Sequence, residues 1–252
     1  MDPDPNSTAM LPPAQVPVPP RPDDRDRWPL ATWEMQELLL LAMVPFGVVL
    51  LANYLVAGFL GWRSDGAEAL LTAIQELALL VPIAIWIRRS GGSLAGLGLA
   101  RGQWNGSDVF AGIGAGLGAL VAGGITIQVT VQLVRAITGH DISVTTPIQE
   151  FNGPVLAVNA VMAAVLAPVC EEVYFRGFLF QGLRGHMRFL WAAPISAVAF
   201  AFVHVEPLRF FGLAVMGLIL AAVFERRHTL ASSIAAHATI NAIALIALFA
   251  TR

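Results

Sequence analysis

Ala167-Pro-Val-Cys-Glu-Glu-Val-Tyr-Phe-Arg-Gly-Phe-Leu-Phe180 is an apolar stretch that contains two adjacent glutamates, Glu171 and Glu172, and one arginine, Arg176. An ionisable side chain at the depth of a bilayer costs about 2.5–3.5 kcal/mol or more on insertion scales. Charged groups this close together are tolerated there only if they pair with one another or face a polar interior. The stretch therefore predicts a buried functional site inside a membrane-spanning helix.

The composition of the whole chain indicates a membrane protein. Of the 252 residues, 56% are hydrophobic and 13% are charged, and the mean hydropathy is +0.69. Soluble domains carry about 25% charged residues. The net charge of −2 and the absence of basic tracts argue against nucleic-acid binding. A single cysteine, Cys170, excludes an internal disulfide and a multi-cysteine metal site.

The chain divides into a polar tail and an apolar domain. Residues 1–30 are rich in Pro and Asp and predict a disordered tail, because they cannot bury enough apolar surface to fold. They lack the short apolar run of a signal peptide. Residues 31–252 predict an all-α, polytopic transmembrane helix bundle, with the catalytic core at about residues 150–250.

Seven apolar runs approach the ~20 residues that cross ~30 Å of hydrocarbon. The predicted spans are 35–61, 67–87, 108–137, 154–181, 189–206, 208–225 and 229–250. The third carries the small-residue pairs Gly112/Gly116 and Gly114/Gly118, which favour close packing within the bundle over a dimer interface. Arginine placement favours a cytoplasmic N-terminus. We expect an integral, multi-pass protein of the plasma membrane.

The two adjacent glutamates are expected to have different roles, one structural and one chemical. Glu172 and Arg176 stand at positions i and i+4 with the acid first, which is the favoured order for an ion pair along a helix. Successive helical residues diverge by about 100°, so Glu171 points elsewhere and has no partner nearby in sequence. The spacing predicts a Glu172–Arg176 pair and leaves Glu171 free to act.

Further polar residues lie in two later spans. His204 follows an apolar run, and His237 and Asn241 lie one turn apart on one helix face. Buried polar groups are costly, so we expect all of these to meet Glu171 in the bundle interior. A glutamate with a histidine can activate water, and a second histidine with an asparagine amide can stabilise an oxyanion. Glu171, His204 and His237 could instead be Zn²⁺ ligands. Both schemes indicate hydrolysis of an amide.

Two remaining residues have simpler interpretations. Glu76 in the second span is expected to be hydrogen-bonded within the bundle. Cys170 is expected to be a small packing residue, because the adjacent carboxylate opposes a thiolate.

Three sequence motifs support a family assignment. Glu171-Glu-Val-Tyr-Phe-Arg176-Gly, Phe200-Ala-Phe-Val-His204 and His237-Ala-Thr-Ile-Asn241 resemble, in order, the EExxxR, FxxxH and HxxxN motifs of the CAAX protease and bacteriocin-processing family. The resemblance covers about residues 150–250. It implies an all-helical intramembrane endopeptidase, related to enzymes that remove the last three residues of prenylated CAAX proteins.

The resemblance also implies a role for each motif residue. Glu171 and His204 would activate the water, and His237 and Asn241 would form the oxyanion site. Glu172 and Arg176 would support them. The family is often described as metallopeptidases, although a metal-free glutamate mechanism is the alternative. Neither the motifs nor their spacing decides between these mechanisms.

The expected partners are a membrane-associated peptide or protein substrate and the lipid bilayer, with no nucleic acid. The alternative function is that of a non-proteolytic membrane partner or a bacteriocin-immunity scaffold. The intact set of buried polar motif residues favours the enzyme, because a scaffold has no need of them.

Overall fold

The computed structural model describes residues 34–61, 64–90, 93–99, 104–142, 144 and 153–250, and this part of the chain is helical without strands. The predicted tail at residues 1–30 lies outside the described residues. The helices are α1 (Met35–Val56), α2 (Asp65–Arg89), α3 (Gly106–Thr138), α4 (Val155–His186), α5 (Phe189–Val203), α6 (Phe210–Arg227) and α7 (Leu230–Ala250). The prediction of an all-α bundle of about seven spans is confirmed.

The seven helices differ in how well they fit a membrane. Five of them, α1 to α4 and α7, are long and apolar enough to cross it. Helix α6 has 18 residues and ends in a charged turn, and α5 has only 15 residues. At 1.5 Å per residue α5 is about 22 Å long, less than the ~30 Å of hydrocarbon. A helix of this length that begins at one membrane surface ends within the depth of the bilayer.

The close packing of α3 against α7 depends on two glycines. A methyl group at Gly112 would overlap the carbonyl oxygen of Ser232, and one at Gly116 would overlap the carbonyl oxygen of Ala236. Only a residue without Cβ allows the two backbones to approach this closely. The predicted packing role of this pair within the bundle is confirmed, and it holds the helix that carries His237.

The second predicted glycine pair behaves differently. A methyl group added at Gly114 or Gly118 would have no heavy atom within 4 Å, so both residues face away from the bundle. Helix α3 instead approaches α6 at Gly123 and Gly212: a methyl group at Gly212 would overlap the Gly123 carbonyl oxygen and the Ile127 side chain, and one at Gly123 would overlap the Met216 side chain. Glycines therefore bring α3 against both helices that flank the site.

Helix α4 forms the centre of the bundle and is not a uniform α-helix. Its turns widen to π-helical geometry at Met162–Leu166 and Val173–Phe180, on either side of a short α-helical stretch at Ala167–Glu172. Pro168 explains the first widening, because proline supplies no amide hydrogen to the preceding turn. The hydroxyl of Tyr174 donates to the carbonyl oxygen of Ala42 at 2.7 Å, which ties α1 to this central helix.

Candidate active site

Glu171 lies at the point where α4 meets the end of α5 and the middle of α7. Its Oε2 atom is 4.0 Å from Nε2 of His204 and 4.0 Å from Nε2 of His237. The residue is 8% exposed, and Oε2 is buried without a hydrogen-bond partner among the described residues. The structure therefore brings together three of the predicted catalytic side chains around a carboxylate oxygen that has no partner of its own.

His204 is placed by the termination of α5. It follows the last helical residue, Val203, and the next residue, Val205, has φ 52°, a left-handed conformation that is rare for a β-branched residue and ends the helix. The Nδ1 atom of His204 lies 2.8 Å from the carbonyl oxygen of Phe200. A carbonyl can only accept, so Nδ1 carries the hydrogen and the neutral ring presents an Nε2 lone pair to Glu171.

His237 is held by the ion pair that the sequence predicted. Arg176 Nη1 donates to Glu172 Oε1 at 2.8 Å, and both side chains are completely buried. His237 Nδ1 lies 3.0 Å from the same Glu172 oxygen, so this ring also donates from Nδ1. The i,i+4 pair is present as predicted, but sequence reasoning missed its third member, because that contact joins α4 to α7.

The buried guanidinium of Arg176 has further partners. Its Nη2 donates to the carbonyl oxygen of Gly217 at 3.1 Å. Its central carbon lies 4.7 Å from the ring centroid of Phe200, within the range of a cation–π contact. Arg176 thus connects α4, α5 and α6 behind the site, and it orients His237 through Glu172.

Asn241 is anchored by the first π-helical turn of α4. In this turn the amide hydrogen of Ala167 is donated to the Met162 carbonyl. The next residue, Pro168, has no amide hydrogen, so the Ala163 carbonyl is left for another donor. The Nδ2 atom of Asn241 donates to that oxygen at 2.8 Å. The side-chain amide of Asn241 is therefore fixed one turn from His237.

Two cavities meet at these side chains. One of about 450 Å³ is lined by Glu171, His204, His237 and Asn241, together with mostly apolar residues of α3, α4, α6 and α7. The other, of about 360 Å³, lies beside α1 and α2 and shares Glu171 and His204 with the first. The site therefore has room for a peptide segment next to the unpartnered carboxylate.

Glu76 of α2 also lines both cavities, a position that the sequence did not predict. The prediction that it is hydrogen-bonded within the bundle is wrong for one oxygen: Oε2 is buried and has no hydrogen-bond partner in the described part of the chain. A single carboxylate in a span gives no sequence signal that separates a bonded side chain from one that faces a cavity. Arg209, which lines the larger cavity, was also not predicted.

The three candidate metal ligands do not fit a zinc ion as they are placed. Ligands bound at about 2.0–2.1 Å in a tetrahedron lie about 3.3 Å apart. The Glu171 oxygen is 4.0 Å from each histidine nitrogen. No group of three or more His, Cys, Asp or Glu side chains within the described ranges has metal-binding geometry.

The arrangement does fit a water molecule. A water that makes hydrogen bonds of about 2.8 Å can bridge two acceptors that are 4.0 Å apart. Its two hydrogens would meet Glu171 Oε2 and His204 Nε2, both of which are acceptors. A carboxylate and a histidine that hold one water between them are a suitable pair for activating it.

Comparison with known proteins gives a family match for the region that contains these side chains. Residues 153–243 match the family model described as Rce1-like, Type II CAAX prenyl endopeptidase Rce1-like. No curated protein and no solved structure gives a significant match. The matched region contains all three motifs and nearly all of α4 to α7, so the predicted family resemblance is confirmed there.

Proposed function

We propose that the chain is an intramembrane endopeptidase of the CAAX protease type that hydrolyses a peptide bond of a membrane-associated substrate, because residues 153–243 match the family model of such enzymes. One observation carries the proposal: the Oε2 atom of Glu171 has no hydrogen-bond partner among the described residues and lies 4.0 Å from a nitrogen of each of two histidines. Glu171 also lines a cavity. A buried carboxylate oxygen without a partner is costly unless water or substrate satisfies it.

Glu171 is the general base of the proposed reaction. It takes one proton from the bound water while the water oxygen forms a bond to the carbonyl carbon of the scissile peptide. His204 accepts the second water hydrogen at Nε2 and so fixes the direction of attack. Glu171 then returns its proton to the leaving nitrogen as the carbon–nitrogen bond breaks. The products are a carboxylic acid and an amine, and the base is regenerated.

His237 and Asn241 lie on the opposite side of the reacting carbon in this proposal. The developing oxyanion is stabilised by hydrogen bonds from both side chains. His237 already donates from Nδ1 to Glu172, so it serves the oxyanion only when Nε2 also carries a hydrogen. Asn241 is held in place by its bond to the Ala163 carbonyl. Glu172 and Arg176 support the site by fixing the His237 ring.

The apolar lining of both cavities suits an apolar, membrane-associated substrate, including a prenylated CAAX-type protein. The cytoplasmic N-terminus and the plasma-membrane location remain predictions. Dependence on Zn²⁺ also remains a prediction, and it requires the two histidines to move closer to Glu171 than the structure has them.

The test is a cleavage assay of purified protein in detergent on a panel of prenylated and unmodified membrane peptides, with and without a chelator. Wild type is compared with Glu171→Gln and with Glu37→Gln, a matched exchange at a glutamate of α1 that lines neither cavity. We expect cleavage by wild type and Glu37→Gln and none by Glu171→Gln.

Turnover by a correctly folded Glu171→Gln protein would overturn the proposed mechanism. Absence of cleavage by wild type across the panel would favour the non-proteolytic scaffold instead. Loss of wild-type activity in the chelator arm, restored by added zinc, would replace the metal-free mechanism by the zinc alternative.

A further inference from the structure

We propose that Arg209 is a specificity-determining residue that binds a carboxylate of the substrate peptide, either the C-terminal carboxylate or that of an acidic side chain. That the ligand is a peptide rests on the proposed function. Binding of a carboxylate at Arg209 is a property of the folded protein and can be measured without turnover, so the two proposals can fail separately.

Arg209 lies in the turn between α5 and α6, five residues after His204 in the sequence. It lines the larger cavity together with Glu171, His204, His237 and Asn241. Five residues of chain span at most about 18 Å, so the Cα atoms of Arg209 and His204 are no farther apart than that. A group bound at Arg209 is therefore only a few residues of extended peptide away from the candidate catalytic carboxylate.

The guanidinium brings a permanent positive charge to a cavity whose lining is mostly apolar. Among the described residues that line this cavity, Arg209 is the only arginine, and the chain has no lysine. A charge that faces an apolar surface is costly unless a counter-ion or a ligand satisfies it. A cation placed next to a catalytic site in such surroundings indicates that the ligand carries a negative charge.

One acidic side chain already contacts Arg209, but it does not occupy the whole guanidinium. Nη1 of Arg209 lies 2.6 Å from Oε2 of Glu206, and the Arg209 side chain is still 24% exposed. Nε and Nη2 donate no hydrogen bond to another residue in the described ranges. Arginine has five N–H donors in a planar fork, and a carboxylate can accept two parallel bonds from one edge of it. Arg209 can therefore bind a second carboxylate beside Glu206.

The chemistry of the ligand follows from the charge. The anionic groups of an unmodified peptide at neutral pH are its C-terminal carboxylate and the side chains of Asp and Glu. A neutral peptide group needs only a neutral donor, which Asn241 and other amides supply at lower desolvation cost. Arg209 lines the cavity that contains Glu171, so the anion expected there belongs to the peptide rather than to a lipid headgroup.

The test measures peptide binding to the Glu171→Gln protein, in which the substrate is not consumed. The probes are three fluorescent, water-soluble peptides that share one short apolar sequence. The first has a free C-terminal carboxylate, the second is its C-terminal amide, and the third is the amide with a glutamate next to the C-terminus. Kd is measured for each peptide by fluorescence anisotropy in detergent, with Arg209 intact and with Arg209→Gln or Arg209→Lys.

We expect at least one of the two carboxylate peptides to bind more tightly than the plain amide, and the one that does identifies the source of the carboxylate. Arg209→Gln should raise its Kd on the order of tenfold or more and change that of the amide by less than about twofold. Arg209→Lys should lie between, because it keeps the charge and loses the planar fork. Arg226→Gln is the matched control: this exposed arginine at the other end of α6 lines neither cavity.

Three results would overturn the proposal. One is an equal change of Kd for all three peptides in Arg209→Gln, since a structural role or a contact with lipid headgroups does not distinguish a carboxylate from an amide. Another is the lack of any preference for a carboxylate peptide when Arg209 is intact. The third is the absence of binding by all three peptides. Thermal unfolding shows whether Arg209→Gln is folded, and Arg209→Lys provides the comparison if it is not.

Cleavage of the same peptides by the protein with Glu171 intact separates this inference from the proposed function. A carboxylate preference that Arg209→Gln abolishes, in a protein without protease activity, would leave the role of Arg209 standing and refute the proposed function. Equal kcat/KM for the carboxylate and amide peptides would refute the role of Arg209 and leave the protease standing.

Discussion

Replacement of Arg176 by methionine is expected to lower the free energy of unfolding by about 3–5 kcal/mol, the cost of breaking a buried ion pair by removing one partner. Arg176 and Glu172 are both 0% exposed and are 2.8 Å apart. The substitution leaves the Glu172 carboxylate with the hydrogen bond from His237 Nδ1 but without its arginine, and no other arginine in the described ranges pairs with it. It also removes the hydrogen bond to the Gly217 carbonyl and the contact with the Phe200 ring.

The expected loss of stability comes from the Glu172 carboxylate that has lost its arginine, so the explanation can be tested by removing that charge as well. The double variant Glu172→Gln/Arg176→Met should regain most of the loss, because an apolar replacement of a buried pair is often close to neutral. Unfolding would be followed by denaturant titration in detergent micelles. Asp141→Asn is the control: its pair with Arg135 has a carboxylate that is 92% exposed, and its loss should cost less than about 1 kcal/mol.

Two results would refute this reasoning. A loss below about 1 kcal/mol in Arg176→Met would mean that the buried charge is satisfied in another way. A double variant no more stable than Arg176→Met would mean that the loss comes from packing and not from the unpaired carboxylate.

Three further predictions concern the surroundings of the site. Gly116→Val should destabilise the bundle by about 1–3 kcal/mol, because the new side chain overlaps α7. Gly118→Val, where space is open, should change stability by less than about 0.5 kcal/mol, and comparison of the two unfolding midpoints tests the difference. Asn241→Ala should lower kcat about 10²–10³-fold in the cleavage assay, as loss of an oxyanion donor does, and a fall below tenfold would contradict its role. Tyr174→Phe should cost about 1 kcal/mol by removing the hydrogen bond to a partly buried carbonyl of α1, measured by thermal unfolding against wild type.

The helices were predictable because each apolar run is long and ends in charged or turn-forming residues. The predicted span 189–206 corresponds to Phe189–Val203, and 229–250 corresponds to Leu230–Ala250. The π-helical turns of α4 were not predictable. A widened turn depends on which carbonyl finds an alternative donor, as Ala163 does with Asn241, and that donor belongs to a helix far along the chain.

The sequence predicted that the motif side chains lie close together, but it did not predict which of them contact each other. The motifs named Glu171, His204 and His237, and the structure brings these three together. The contact of Glu172 with His237 had no signal in the motifs, because spacing along one helix carries no information about the helix opposite. Glu76 was underestimated for the same reason: its neighbourhood is created by packing between α2 and α4.

The shortness of α5 bears on how water reaches a reaction that takes place within the bilayer. If α5 begins at one membrane surface, its 15 residues fall about 8 Å short of crossing an average hydrocarbon layer at the His204 end. Lipid adapts to such a mismatch by thinning, at a modest free-energy cost for each ångström. The thinned region shortens the path from the headgroups to the catalytic carboxylate. The rate of hydrolysis should therefore depend on acyl-chain length, and it should be faster in thin bilayers than in thick ones.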